Sequence, residues 1–136
     1  MFGLTSLGPA RTGALGLLCA LSVASIRAAE APGTVKAEVE QLIASLAVSG
    51  CEFFRNGDWH AAATASDHLR RKYEYMLDKG LLASTQDFIA QAGSGSSLSG
   101  EPYRVRCGNA PPVSSAAWLN AKLQALRGQA SSKVAR

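Results

Sequence analysis

The sequence predicts an α+β domain: about four helices packed around a short two-stranded antiparallel ribbon and closed by one disulfide. Three observations lead there. Apolar residues recur at helical spacing in four separate stretches, which is the pattern of amphipathic helices. Two short segments, Cys51–Arg55 and Tyr103–Cys107, are too rich in aromatic and alternating residues for loops, and each carries a cysteine. The chain has three cysteines in all, and the first lies in a stretch with the character of a removable leader.

That leader comes first in the chain. Between Arg11 and Arg27 runs the apolar stretch Gly13–Ile26, shorter than the roughly 20 residues a bilayer span requires. A basic start, a short apolar run and a small-residue tail match a secretory signal peptide, here residues 1–29, cut after Ala28 or Ala29. A lipoprotein signal fits poorly because Leu17 and Leu18 precede Cys19, and an uncleaved anchor fits poorly because the run is short. Removal of residues 1–29 takes Cys19 away and leaves Cys51 and Cys107 as an even pair in an oxidising compartment. Their long loop makes such a bridge worth roughly 4 kcal/mol in the chain-entropy account; the alternative is two free thiols.

The remaining elements follow in order, within a single domain of residues 32–128. Thr34 is a candidate cap for a helix with Val35, Val39, Leu42, Ile43 and Leu46 on one face, stopped at Gly50. Cys51–Arg55 reads as a strand ending in the turn Asn56-Gly57. Trp59–Lys79 contains neither glycine nor proline and reads as a second helix, with Ala61, Ala65, Leu69, Tyr73 and Met76 or Leu77 inward. Ser84 or Thr85 starts a shorter helix bearing Phe88 and Ile89, which ends at Gly93. The loop Gly93–Pro102 is dominated by glycine and serine. In Tyr103–Cys107 alternation turns Tyr103, Val105 and Cys107 inward and Arg104 and Arg106 outward. After Pro111-Pro112, Ser114 caps a last helix with Trp118, Leu119, Leu123 and Leu126 on its apolar side, and residues 129–136 are expected to fray.

The composition excludes more chemistry than it suggests. At 136 residues, with 47% hydrophobic and 18% charged residues, the chain suits one small domain and not a two-lobed cofactor enzyme. The net charge of +4 falls to +2 once Arg11 and Arg27 leave, too little to predict nucleic-acid binding. His60 and His68, if both helical, lie about 12 Å apart along the axis, and no zinc spacing or H-E-x-x-H motif occurs, so neither metal nor cofactor is expected. No P-loop and no G-x-S-x-G elbow is present. The densest polar cluster is Asp67–Tyr75, where Asp67 stands one turn before Arg71 as a favourable pair. His68, Arg71 and Lys72 with Ser96, Ser97, Ser99 and Tyr103 form the candidate binding surface, because basic and hydroxyl groups outside the apolar stripes concentrate there. Set against this is a solvated helix face beside a loop whose serines bond their own backbone.

Three stretches carry a family resemblance: Gly50–Gly57, His68–Tyr75 and Ser96–Cys107, followed by Trp118-Leu119. In this order they resemble the YfeK-like family, domain of unknown function 5329, over about Val35 to Arg127. The resemblance implies a small exported bacterial domain, periplasmic or secreted, and brings no catalytic residues with it. Together the readings describe a non-enzymatic binding or interaction module of the cell envelope. Its partner would be an envelope protein or a small anionic ligand, with no membrane anchor left after signal cleavage. The alternative is a small hydrolase or transferase using His68 as base near Ser96–Ser99.

Overall fold

The computed structural model describes residues 32–136, together with Gly3 and Gly8. The signal-peptide segment therefore lies outside the described residues. The elements in order are α1 (Pro32–Ala47), β1 (Glu52–Arg55), β2 (Asp58–Ala61), α2 (Ala62–Asp78), α3 (Thr85–Phe88) with a π-helical turn Ile89–Gly93, β3 (Arg104–Arg106), β4 (Val113–Ser114) and α4 (Ser115–Val134). The α+β class holds. The two-stranded ribbon is a correction: the sheet has four antiparallel strands in the order β2-β1-β3-β4.

The two added strands are the ones local sequence hides. Asn56 and Gly57 both take positive φ, 50° and 91°, the requirement of a two-residue hairpin turn, and glycine meets it without a Cβ penalty. The turn sends the chain back along β1, so Trp59–Ala61 pairs with Phe54–Glu52 instead of opening the second helix. That helix starts at Ala62, and Ala61, expected inward, is exposed. Val113–Ser114 pairs with Val105–Arg104 for only two residues, too short for any alternation to reveal. The first helix begins at Pro32, so Thr34 sits inside its first turn; proline is well suited there because its missing N–H would be unpaired anyway. Ser84 and Ser114 cap their helices as read, accepting from the amides of Asp87 and Ala117. Past Gly128 the last helix continues to Val134 although each of these residues is exposed; Ser131 and Ser132 hydroxyls bond the carbonyls one turn back.

The β1–β3 register places Glu52 opposite Arg106, so Cys51 and Cys107 face each other one step further along the same ladder. Their bridge spans 56 residues of sequence with Cα atoms 4.4 Å apart, the spacing of a directly opposed non-hydrogen-bonded pair. The pairing of the two cysteine-bearing strands is thus what makes the disulfide geometrically possible.

The core lies between the inner sheet face and the helices. Val39, Leu42, Ile43 and Leu46 of α1, Leu69, Tyr73 and Met76 of α2, Phe88 and Ile89, and Leu119 and Leu123 of α4 close over Phe53 and Val105. Phe53 meets Trp118 edge-on at 5.5 Å, and Tyr73 meets Phe88 likewise at 6.0 Å. Where the π turn crosses α4, a Cβ on Gly93 would stand 2.4 Å from Leu119 Cδ1, so the buried Leu119 side chain would have to shift. A polar clasp closes the helical side. Glu38 of α1 accepts from Arg127 of α4 through both oxygens, at 2.7 and 3.0 Å, and from Thr85 of α3 at 2.5 Å. On the other sheet face side chains cover one another: Arg104 lies 4.3 Å from the Phe54 ring centre, Arg106 lies 4.0 Å from that of Trp59, and Arg106 bonds Glu52.

Candidate functional site

Three of the residues singled out in the sequence meet at one point. His68 and Lys72 stand one turn apart on α2, and Tyr103 arrives from the segment just before β3. The Lys72 ammonium donates to Tyr103 Oη at 3.3 Å and to the carbonyls of Ala92 and Gly95, both at 3.0 Å. An ammonium has three protons, and all three are used. Lys72 is therefore a tether: it holds the end of the π turn and the start of the serine loop against α2. Ala92 lies in the last turn of the π segment, where carbonyls have no partner further along the helix, and Lys72 takes up its carbonyl instead.

Lys72 can only donate, so Tyr103 oxygen accepts from it, and the same Tyr103 hydroxyl shares a hydrogen bond with His68 Nε2, 3.3 Å away, whose direction is set by the His68 tautomer. Burial, reinforced by the positive charges of Arg55, Lys72, Arg71 and His60, lowers the His68 pKa to about 4. His68 is thus neutral at physiological pH. Burial raises the Tyr103 hydroxyl pKa, with Arg55 pulling the other way, so the phenol stays protonated and serves as a donor.

His68 and Tyr103 line a narrow cleft of about 30 Å³ together with Arg55, His60, Thr64 and Ser115. Its remaining walls are apolar: Leu46, Phe53, Phe54, Ala65 and Leu69. Enclosed small-molecule sites run to roughly 300–1,000 Å³, so this cleft admits a single chemical group and not a whole ligand. Arg55 has no hydrogen-bond or ion-pair partner among the described residues, and its charge depresses protonation of both His68 and Lys72. No carboxylate figures among the influences on His68, Lys72 or Tyr103. The cleft carries a surplus of positive charge over apolar walls.

The other sequence candidates are placed differently. Arg71 is exposed on α2, near enough to act electrostatically on His68, and it forms no ion pair with Asp67, which is exposed as well. Ser96 is buried and its hydroxyl accepts from the amides of Leu98 and Ser99; the Ser99 hydroxyl accepts from the Glu101 amide. Ser96 and Ser97 line a separate open groove with Gln91, Ser94, Pro102 and Ser114. The hydrogen bond His68 makes goes to Tyr103, so this geometry lends the serine–histidine hydrolase reading no support.

Arg55 and His60 are the site residues that sequence reasoning passed over. The signal for Arg55 was available: with Phe53 facing inward, period-two alternation puts Phe54 outside and Arg55 back on the cleft side. His60 was read as helical; strand β2 instead sets it opposite Phe53 on that same face. Among the described residues no group of three or more His, Cys, Asp or Glu could hold a metal ion, and no helix is long and apolar enough to cross a membrane.

The fold and its cleft thus define a small, disulfide-linked α+β domain with one cationic slot. Residues 33–127 match a family of unknown function, DUF5329, and the chain belongs to that family. No curated protein and no solved structure matches it.

Proposed function

We propose that the chain is an exported, YfeK-like bacterial protein acting as a non-enzymatic binding module of the cell envelope, and that its cleft takes the anionic end group of a larger partner or ligand. The observation that carries this reading is Arg55: a half-buried cation that forms no ion pair among the described residues and lines, together with a neutral His68, a cleft sized for one group. A cation held between apolar walls favours an anion, and the neutral His68 ring beside it adds no charge of its own. Export is supported by the apolar stretch Gly13–Ile26 behind Arg11 and by a disulfide suited to an oxidising compartment.

Titration of the disulfide-bonded protein with acetate, butyrate and phosphate, followed by amide chemical shifts, tests the cleft. Saturable shifts at Arg55, His68 and Tyr103 are expected, with loss in Arg55→Ala and retention in Arg104→Ala. Absence of any saturable shift at these three residues overturns the reading. For export, intact-mass measurement of the protein from envelope or secreted fractions should find the chain starting at Ala29 or Glu30; a terminus at Met1 contradicts it.

A further inference from the structure

The charges that act on the His68 ring are all positive. Arg55 comes from β1, His60 from β2, and Arg71 and Lys72 from α2, while the Tyr103 hydroxyl arrives ahead of β3. Helices α1 and α4 add only Leu46 and Ser115 to the cleft. Asp58, across the ladder from Arg55, and Asp67, next to His68 in sequence, are exposed and form no ion pair with these groups among the described residues. Burial first, and then the positive neighbours, hold the His68 pKa down at about 4. A bound anion changes the sign of the nearest charge. Coulomb energy falls with distance, so one negative group in contact with the ring offsets repulsion from cations further off, and the protonated ring gains a partner.

Arg55 is charged at any pH, and the three protons of Lys72 already go to Tyr103 and to the Ala92 and Gly95 carbonyls. The charge that can respond to a ligand therefore sits on the imidazoles, and His68 is the one bonded to Tyr103. A charged imidazole donates from both nitrogens, so Nε2 then donates to Tyr103 Oη, 3.3 Å away. That oxygen has two lone pairs, one taken by Lys72 and the other by His68, which leaves its own proton to point elsewhere. Tyr103 lines the same cleft, so one proton taken from water sets a positive ring and a freed phenolic O–H in the cleft with Arg55. We propose that the cleft is a proton-coupled anion site: His68 takes up a proton from water as a small anion enters beside Arg55, and the ligand is held more tightly as the medium acidifies. This rests on the anion-binding reading of the cleft and adds its regulation.

Methanesulfonate suits the test, because its single negative charge does not change over the pH range used. Its affinity for the disulfide-bonded protein, read from amide shifts at Arg55 and Tyr103, should rise about fourfold from about pH 7.5 to about pH 5.5. The His68 ring titration, followed by proton NMR, should move up toward the ordinary 6.5 when methanesulfonate is bound. His68→Gln should lose the gain at low pH, whereas a gain from general protonation of the surface would persist. Saturable shifts with equal affinity at the two pH values overturn the proton coupling and leave the anion-binding reading standing. Absence of saturable shifts at both overturns the two together. A gain that survives in His68→Gln, or a His68 titration that methanesulfonate does not move, gives the proton to another group and overturns the proposal.

Discussion

The clasp of Glu38, Thr85 and Arg127 and the cleft of Arg55, His68, Lys72 and Tyr103 are built from the same kinds of group. Each brings charged and hydroxyl side chains from separate elements to one point. In the clasp an acid meets a base through two parallel hydrogen bonds, with Thr85 donating to the same carboxylate. In the cleft every charged group is basic, and Arg55 has no partner among the described residues. A balanced cluster spends its hydrogen-bonding capacity on holding the fold, whereas an unbalanced one keeps capacity for something outside it. Within the cleft the division runs residue by residue: Lys72 is fully committed to the loop, and Arg55 is not committed at all.

The most damaging substitution should fall in the clasp. Arg127→Ala leaves Glu38, whose side chain is only 13% exposed, without its cation. A loss of about 2–3 kcal/mol is expected, below the range for a fully buried pair because Arg127 is partly solvated; on a domain of this size Tm falls on the order of 10 °C. Hydrogen bonding to Arg127, helped by Thr85 and opposed by burial, holds the Glu38 pKa below its ordinary value. The stability Glu38 contributes is therefore complete above the ordinary carboxylate range and is lost as pH falls through its lowered folded-state value. Glu38→Gln should remove that acid limb from thermal melts recorded across pH.

Lys72→Met comes next, at about 1–2 kcal/mol, because it strands the Ala92 and Gly95 carbonyls, while the Tyr103 hydroxyl keeps its bond with His68. Its effect should be local, so amide exchange in Gly93–Pro102 should accelerate more than exchange in α1. Uniform acceleration would mean that Lys72 supports the whole fold and not the loop. A smaller effect belongs to His68. In the unfolded chain it takes a proton near its ordinary pKa of 6.5, but in the folded protein only near 4. The unfolded state binds more protons between these values, so stability should decline as pH drops from about 6.5 to 4. His68→Gln should flatten that interval while leaving the Glu38 limb in place.

Two surface changes complete the comparison. Arg70→Ala cuts an exposed pair with Glu40 and should cost no more than about 0.5 kcal/mol. Arg55→Ala removes a cation with no recorded partner, so it should leave Tm unmoved or slightly raised while the His68 pKa rises toward its ordinary value. Burial is the larger cause of the His68 shift and persists in the variant, so the recovery should be partial. Proton NMR titration of the His68 ring reads this directly. A clear fall in Tm for Arg55→Ala would place Arg55 with the clasp residues and remove the contrast between the two clusters.

Some of this was legible one residue at a time. The Ser84 and Ser114 caps, the positive-φ turn at Asn56-Gly57 and the inward set Tyr103, Val105 and Leu119 each follow from short-range rules. Cys51 and Cys107 each sat on or beside a predicted strand, and most inward helix residues followed from their spacing. Strand β2 was not legible, because Trp59–Ala61 continues without a break into strong helix formers and only pairing with β1 makes it extended. The cleft was half legible: His68, Lys72 and Tyr103 stood out as polar groups beside apolar stripes, whereas Arg55 and His60 entered through the hairpin.

The sequence by itself determined much of the local state of the chain: the bodies of the long helices, the caps at Ser84 and Ser114, the hairpin turn at Asn56-Gly57 and the apolar faces. Those properties depend on backbone geometry and on neighbours within a few residues. Only the tertiary structure decided that Lys72 is saturated while Arg55 forms no ion pair among the described residues, and that the loop serines bond their own backbone. Each of these depends on partners brought together from distant parts of the chain, such as Lys72 with Ala92 and Gly95, and hydrogen-bond saturation is a property of the completed contact.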